Sequence, residues 1–134
     1  MQTNTIQRIT ILSAMLLAGA GIVQAGLLDG TTFKVKVVPD KATADKGEKG
    51  FEDELIFADG KFTSTALSRK GFKPSKYRAE AESWEAEFEV ELVSATNGVA
   101  VWIGEIRGTN ALGGLQWMQK GRGDYMFEFN GTKE

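Results

Sequence analysis

The chain has 134 residues, a formal net charge of −2, no cysteine and no histidine. Without thiols or imidazoles it can carry no disulfide, thiolate nucleophile, His-based triad, or zinc site built on Cys or His. The mild acidic balance gives no electrostatic footprint for nucleic acid, and the length suits one domain with a single unstapled core.

Arg8 is the only charged side chain in residues 1–25. Ile9–Val23 is a mostly apolar run, and Val23-Gln24-Ala25 places small or slim residues before Gly26. This is the pattern of a cleavable signal peptide over 1–25. The run is short of the roughly 20 apolar residues of a spanning helix, and no cysteine stands at the cut to carry a lipid. The expectation is an exported mature domain over 26–134, periplasmic or secreted, with no stable membrane insertion after cleavage.

Thr32–Val38 reads as a first strand, ended by Pro39, which cannot donate to a ladder. Asp40–Gly50 is polar and aperiodic, a loop with room for a helical turn. Phe51–Ala58 and Lys61–Leu67 are strands two and three, joined by Asp59-Gly60, a hairpin signal for a type I′ turn. Ser68–Lys76 is a basic loop. Tyr77, Ala79 and Ala81 alternate with Arg78, Glu80 and Glu82 as a fourth strand, and a tight turn lies around Glu82-Ser83.

Trp84–Val93 is the fifth strand and the clearest: over Trp84–Leu92 (WEAEFEVEL) one parity is apolar and the other is glutamate. Side chains alternate faces along a strand, so this ribbon has one oily and one charged face. Asn97-Gly98 turns into Val99–Arg107, Gly108-Thr109-Asn110 turns into Ala111–Gln119, and Lys120–Gly123 leads to Asp124–Gly131. Eight sequential strands have two edges to hide, and closure into an antiparallel up-and-down barrel removes both. A two-sheet sandwich is the alternative, but only Asp40–Gly50 is long enough for a crossover.

Loops of a meander alternate ends. Asp59-Gly60, Glu82-Ser83 and Gly108–Asn110 make one tight end. Asp40–Gly50, Ser68–Lys76 and Lys120–Asp124 fringe the other, with nine basic against four acidic side chains. A basic rim concentrates anions, so Arg69 and Lys73 are candidate contacts for an amphipathic or small organic anion. Loops also tolerate lysine for no functional reason.

Trp102 shares a parity with Gly104 and points inward; Gly104 either leaves room for a ligand or lets the barrel turn. Trp117 follows a Gly113-Gly114 bend. Tyr77 and Tyr125 begin strands at the mouth, where a phenol can be half wet. Tyr77, Trp102, Trp117 and Tyr125 are therefore candidate ligand contacts, although narrow barrels are commonly filled by such rings. If Trp102 points in, Val99, Val101 and Ile103 point out, as an association stripe or a strip lying under a terminal segment. The glutamates of Glu85–Glu91 are spread along a solvated face and suggest no metal. Arg122-Gly123-Asp124 is read as a turn.

The combination of DGKF at Asp59–Phe62, Gly71-Phe72, Tyr77, Trp102–Gly104, Trp117 and Tyr125–Phe127 resembles small exported bacterial proteins with a lipocalin-like (calycin) barrel. The resemblance spans most of the mature chain and implies an eight-stranded meander barrel, with no assigned function for many relatives. The chain lacks the tryptophan of a lipocalin G-x-W motif before the first strand (GLLDGTTF) and an avidin biotin-site pattern, so neither family's ligand residues transfer. The expected function is binding of a small organic ligand, without catalysis or cofactor, by a monomer or weak dimer. The alternative is a non-catalytic interaction protein, an inhibitor or envelope component, using the apolar strand face.

Overall fold

Period-two patterning is realised as β1 (Thr31–Pro39), β2 (Phe51–Ala58), β3 (Lys61–Ser64), β4 (Ser75–Glu82), β5 (Glu85–Ser94), β6 (Gly98–Arg107), β7 (Asn110–Gln119) and β8 (Gly123–Lys133). Two short helices, α1 (Lys41–Asp45) and α2 (Thr65–Ser68), follow β1 and β3. The structure is a computed structural model and describes residues 26–134 other than Trp84; the expected signal peptide and Trp84 lie outside the described residues. Each strand pairs antiparallel with the next, and β8 returns to β1 to close an all-β, up-and-down barrel. Closure runs from Phe33 opposite Lys133 to Pro39 opposite Phe127. No helix among the described residues is long and apolar enough to cross a membrane.

The expected faces are present. Ala86, Phe88, Val90 and Leu92 of β5 are buried, while the glutamates between them lie on the outside. Outside, β1 and β2 set Lys34 opposite Glu54 and Lys36 opposite Glu52, complementary cross-strand pairs. Asp59 and Gly60 both have positive φ (55° and 73°), the backbone that a type I′ hairpin demands.

The third strand departs from expectation. It ends at Ser64 rather than Leu67, because the Ser64 hydroxyl accepts from Leu67 N (3.1 Å) and caps α2. Asp40 caps α1 in the same way, accepting from Thr43 N. The short β3 meets β4 only at Lys61 opposite Lys76 and Phe62 opposite Ser75. Tyr77 N then donates to Gly60 O (3.4 Å). The start of β4 is thereby carried toward the tight end, and Lys76 belongs to the wall there rather than to the mouth.

Aromatic rings fill the interior. Phe57 contacts Phe62, Tyr77 and Phe88 at centroid distances of 5.2, 4.9 and 5.1 Å. Trp102 contacts Phe62 and Phe129 at 5.6 and 5.4 Å. The space above Gly104 is taken by these rings: a Cβ there would stand 2.7 Å from both Phe88 Cε2 and Phe129 Cζ. Of the two sequence readings of Gly104, ligand room is therefore the one the packing opposes.

The outward stripe on β6 is also altered. Ile103 faces out but is only 2% exposed, because Met126 of β8 packs against it beside Val101, with Gly114 as its side-chain-free neighbour on β7. Val93 remains an exposed apolar side chain on the outer wall.

Gly104→Val is expected to force rings off their positions and to cost about 1–3 kcal/mol, read as a lower urea midpoint at unchanged slope. Unchanged stability would mean that the interior has slack.

Candidate functional site

The mouth is built by its loops. Asp53, on the inward parity of β2, is buried; its carboxylate accepts from the Ser64 hydroxyl and from Ala66 N (2.9 Å). These bonds fix the first turn of α2, which sends Leu67 into the barrel and Arg69 to its rim. The following loop folds back: Lys70 O accepts from Ser94 Oγ (3.0 Å) and Asn97 Nδ2 (2.7 Å). Phe72 drops into the opening and packs edge-on against Trp117 at 5.7 Å. The Trp117 indole donates to Asn97 O (2.8 Å), completing a latch between the two loops.

On the Trp117 side of this plug lies a depression of ≈ 560 Å³, with the apolar side chains of Phe51, Leu67 and Trp117 and the cationic ones of Lys49, Arg69, Lys70 and Arg122 in its lining. Glu48 and Glu52 also line it, and Glu48 pairs with Arg122 at 3.7 Å. Cations therefore lead at the rim without being alone there. A second depression of ≈ 460 Å³ runs down the outer wall beside α2, between Arg69 and the Lys34/Lys36 and Glu52/Glu54 faces. Its charges already oppose one another across β1 and β2.

The sequence-predicted residues divide between places. Arg69 and Trp117 line the mouth depression. Tyr125 is next to them, paired with Trp117 across β7 and β8, and Lys46 and Arg122 stand over its ring at 5.1 and 5.8 Å. At 3% exposure its ring belongs to the core more than to solvent. Lys73 is exposed on the plug loop but lines neither depression. Trp102 is wholly buried a layer below, and its Nε1 has no hydrogen-bond partner among the described residues.

Tyr77 lies at the opposite, tight end, not at the mouth. Its hydroxyl donates to Asp29 Oδ1 and accepts from Leu28 N, both at 2.8 Å. Burial, then the Asp29 carboxylate, pushes the phenol well above its usual range. Of the residues that shape the mouth, Asp53 and Ser64 carry no motif, while Phe72 and Asn97 were legible only as part of the resemblance and as a turn. The legible hint was Asp53, a lone acid on the parity of Phe51, Leu55 and Phe57.

Among the described residues, no group of three or more Asp or Glu side chains is placed to hold a metal ion. No protein-family model, no curated protein and no solved structure matches the chain.

Burial holds the Asp53 carboxyl above the usual carboxylate range, against the opposing pull of its bonds to Ser64, Ala66 N and Glu54 N and of the Arg69 charge. The folded chain thus binds this proton more tightly than the unfolded chain. The associated stability is complete below the ordinary carboxylate pKa and is lost as pH rises through the raised one. Relative to Asp53→Asn, the wild type should gain stability as pH falls from about 7 to about 4, measured as urea midpoints. A difference independent of pH would remove burial as the governing cause.

Proposed function

We propose that this protein is an exported, non-catalytic barrel that binds an amphipathic organic anion at its mouth. The observation that carries the reading is the pairing of an apolar floor (Phe51, Leu67, Trp117) with the guanidinium and ammonium groups of Arg69, Lys70 and Arg122 above it. A carboxylate or similar head finds charge-assisted donors at the rim, and an apolar body finds the floor. The filled interior supports binding at the rim rather than deep within. Export rests on the pattern of residues 1–25, and a monomer or weak dimer is the proposed state. Nucleic acid is not proposed as a partner, and the chain is taken to bind its ligand without transforming it.

A second reading, that of an interaction protein such as an inhibitor or envelope component, is favoured by the same filled interior. Its proposed surface is smaller than the sequence suggested, because Ile103 is covered by Met126. Native mass spectrometry of protein purified from its own cells separates the two: bound small-molecule mass supports the first, and a protein partner or stable dimer the second.

Medium-chain fatty acids and aromatic acids titrated at two salt concentrations are expected to bind saturably and more weakly at the higher salt. The double variant Arg69→Ala/Arg122→Ala should weaken binding on the order of tenfold, about 1.4 kcal/mol. Absence of saturable, salt-sensitive binding would reject the mouth as an anion site.

A further inference from the structure

We infer that the mature amino terminus is a working part of the barrel floor: once the chain is cut before Gly26, the Gly26 ammonium pairs with the Asp29 carboxylate. This rests on the export reading above, not on the ligand.

The floor is organised around Asp29. Gly60 N donates to its Oδ2 at 2.9 Å and to Oδ1 at 3.1 Å, so the carboxylate straps the leading segment to the β2–β3 turn. The Tyr77 hydroxyl donates to Oδ1 at 2.8 Å while accepting from Leu28 N. All of these donors are neutral, and Asp29 has no cationic partner among the described residues. An ionised carboxylate accepts about four hydrogen bonds, which leaves Oδ2 with capacity to spare.

What lies against that oxygen is Gly26. A tight turn folds the backbone back, with Asp29 N donating to Gly26 O at 3.0 Å. A Cβ on Gly26 would stand 2.9 Å from Asp29 Oδ2. The backbone there has φ of 76°, a left-handed conformation that favours glycine. Position 26 thus brings bare backbone up to a carboxylate whose donors among the described residues are all neutral.

In the uncut chain, the nitrogen of Gly26 is a neutral amide. Cleavage turns it into an α-amine, largely protonated near neutral pH because its ordinary pKa is about 7.7–8.0. The cation that Asp29 lacks is then supplied by processing itself. Every strand of the closed barrel lies after the cut, so cleavage leaves the sheet's own residues intact and adds this charge pair at its floor.

The test uses a chain beginning at Gly26, which contains the whole closed barrel, prepared with a free or an acetylated amino terminus in wild-type and Asp29→Asn backgrounds. Acetylation is expected to lower the melting temperature of the wild type by roughly 2–5 °C and to leave Asp29→Asn nearly unchanged. An equal effect in both backgrounds overturns the pairing. In parallel, the full-length chain is exported from a bacterial host and its amino terminus sequenced. Gly26 as first residue supports the inference, and another first residue overturns it. A chain that remains uncut overturns the export reading as well, while anion titration of the same sample tests the mouth independently.

Discussion

The hydrogen-bonded pairing of β1 with β8 is the constraint on which the other features depend. With Phe33 opposite Lys133 and Pro39 opposite Phe127, the sheet has no free edge and its circumference is set. A fixed circumference sets the interior volume, and the large residues on the inward parities must share it. Phe57, Phe62, Phe88, Trp102 and Phe129 do so in mutual contact. Gly104 is the position that yields space to them. A ring of this kind is worth about 1.5–3 kcal/mol buried, so a well-packed interior stabilises the barrel.

Closure also separates those ends in kind. The tight turns leave little chain to elaborate, and what is there is drawn inward by Asp29 and Tyr77. At the other end Asp53 and Ser64 stop a strand early and turn it into a helix, so that Leu67, Arg69 and Phe72 arrive together over the opening. The mouth is therefore a surface of loops held by specific polar bonds, with its charge displayed above an apolar floor.

Strand number, order and facing were legible because they depend on local alternation: WEAEFEVEL needs only neighbouring residues to declare its two faces, and Asp59-Gly60 declares its own turn. The features that were not legible depend on distant partners. The end of β3 is decided by the Ser64 hydroxyl and the Asp53 carboxylate, which lie on different strands. The place of Tyr77 follows from the register of Lys61 against Lys76, and strand stagger is not written in either strand alone. Ile103 faces outward as its parity requires, but Met126, two strands away, covers it. Of the candidate contacts, Arg69 and Trp117 reached the mouth because loop position and the end of β7 were correctly assigned. Trp102 and Tyr77 were recognisable as large inward residues, but the depth of the first and the barrel end of the second were not.

The abbreviated junction of β3 with β4 gives the wall a weak stave. Two residue pairs hold it, whereas β5 and β6 are joined along their whole lengths, from Glu85 opposite Arg107 to Ser94 opposite Gly98. Local opening follows the fewest bonds. The joint lies over the stacked rings of Phe62 and Phe88, so the thinnest part of the ladder stands next to the densest part of the interior.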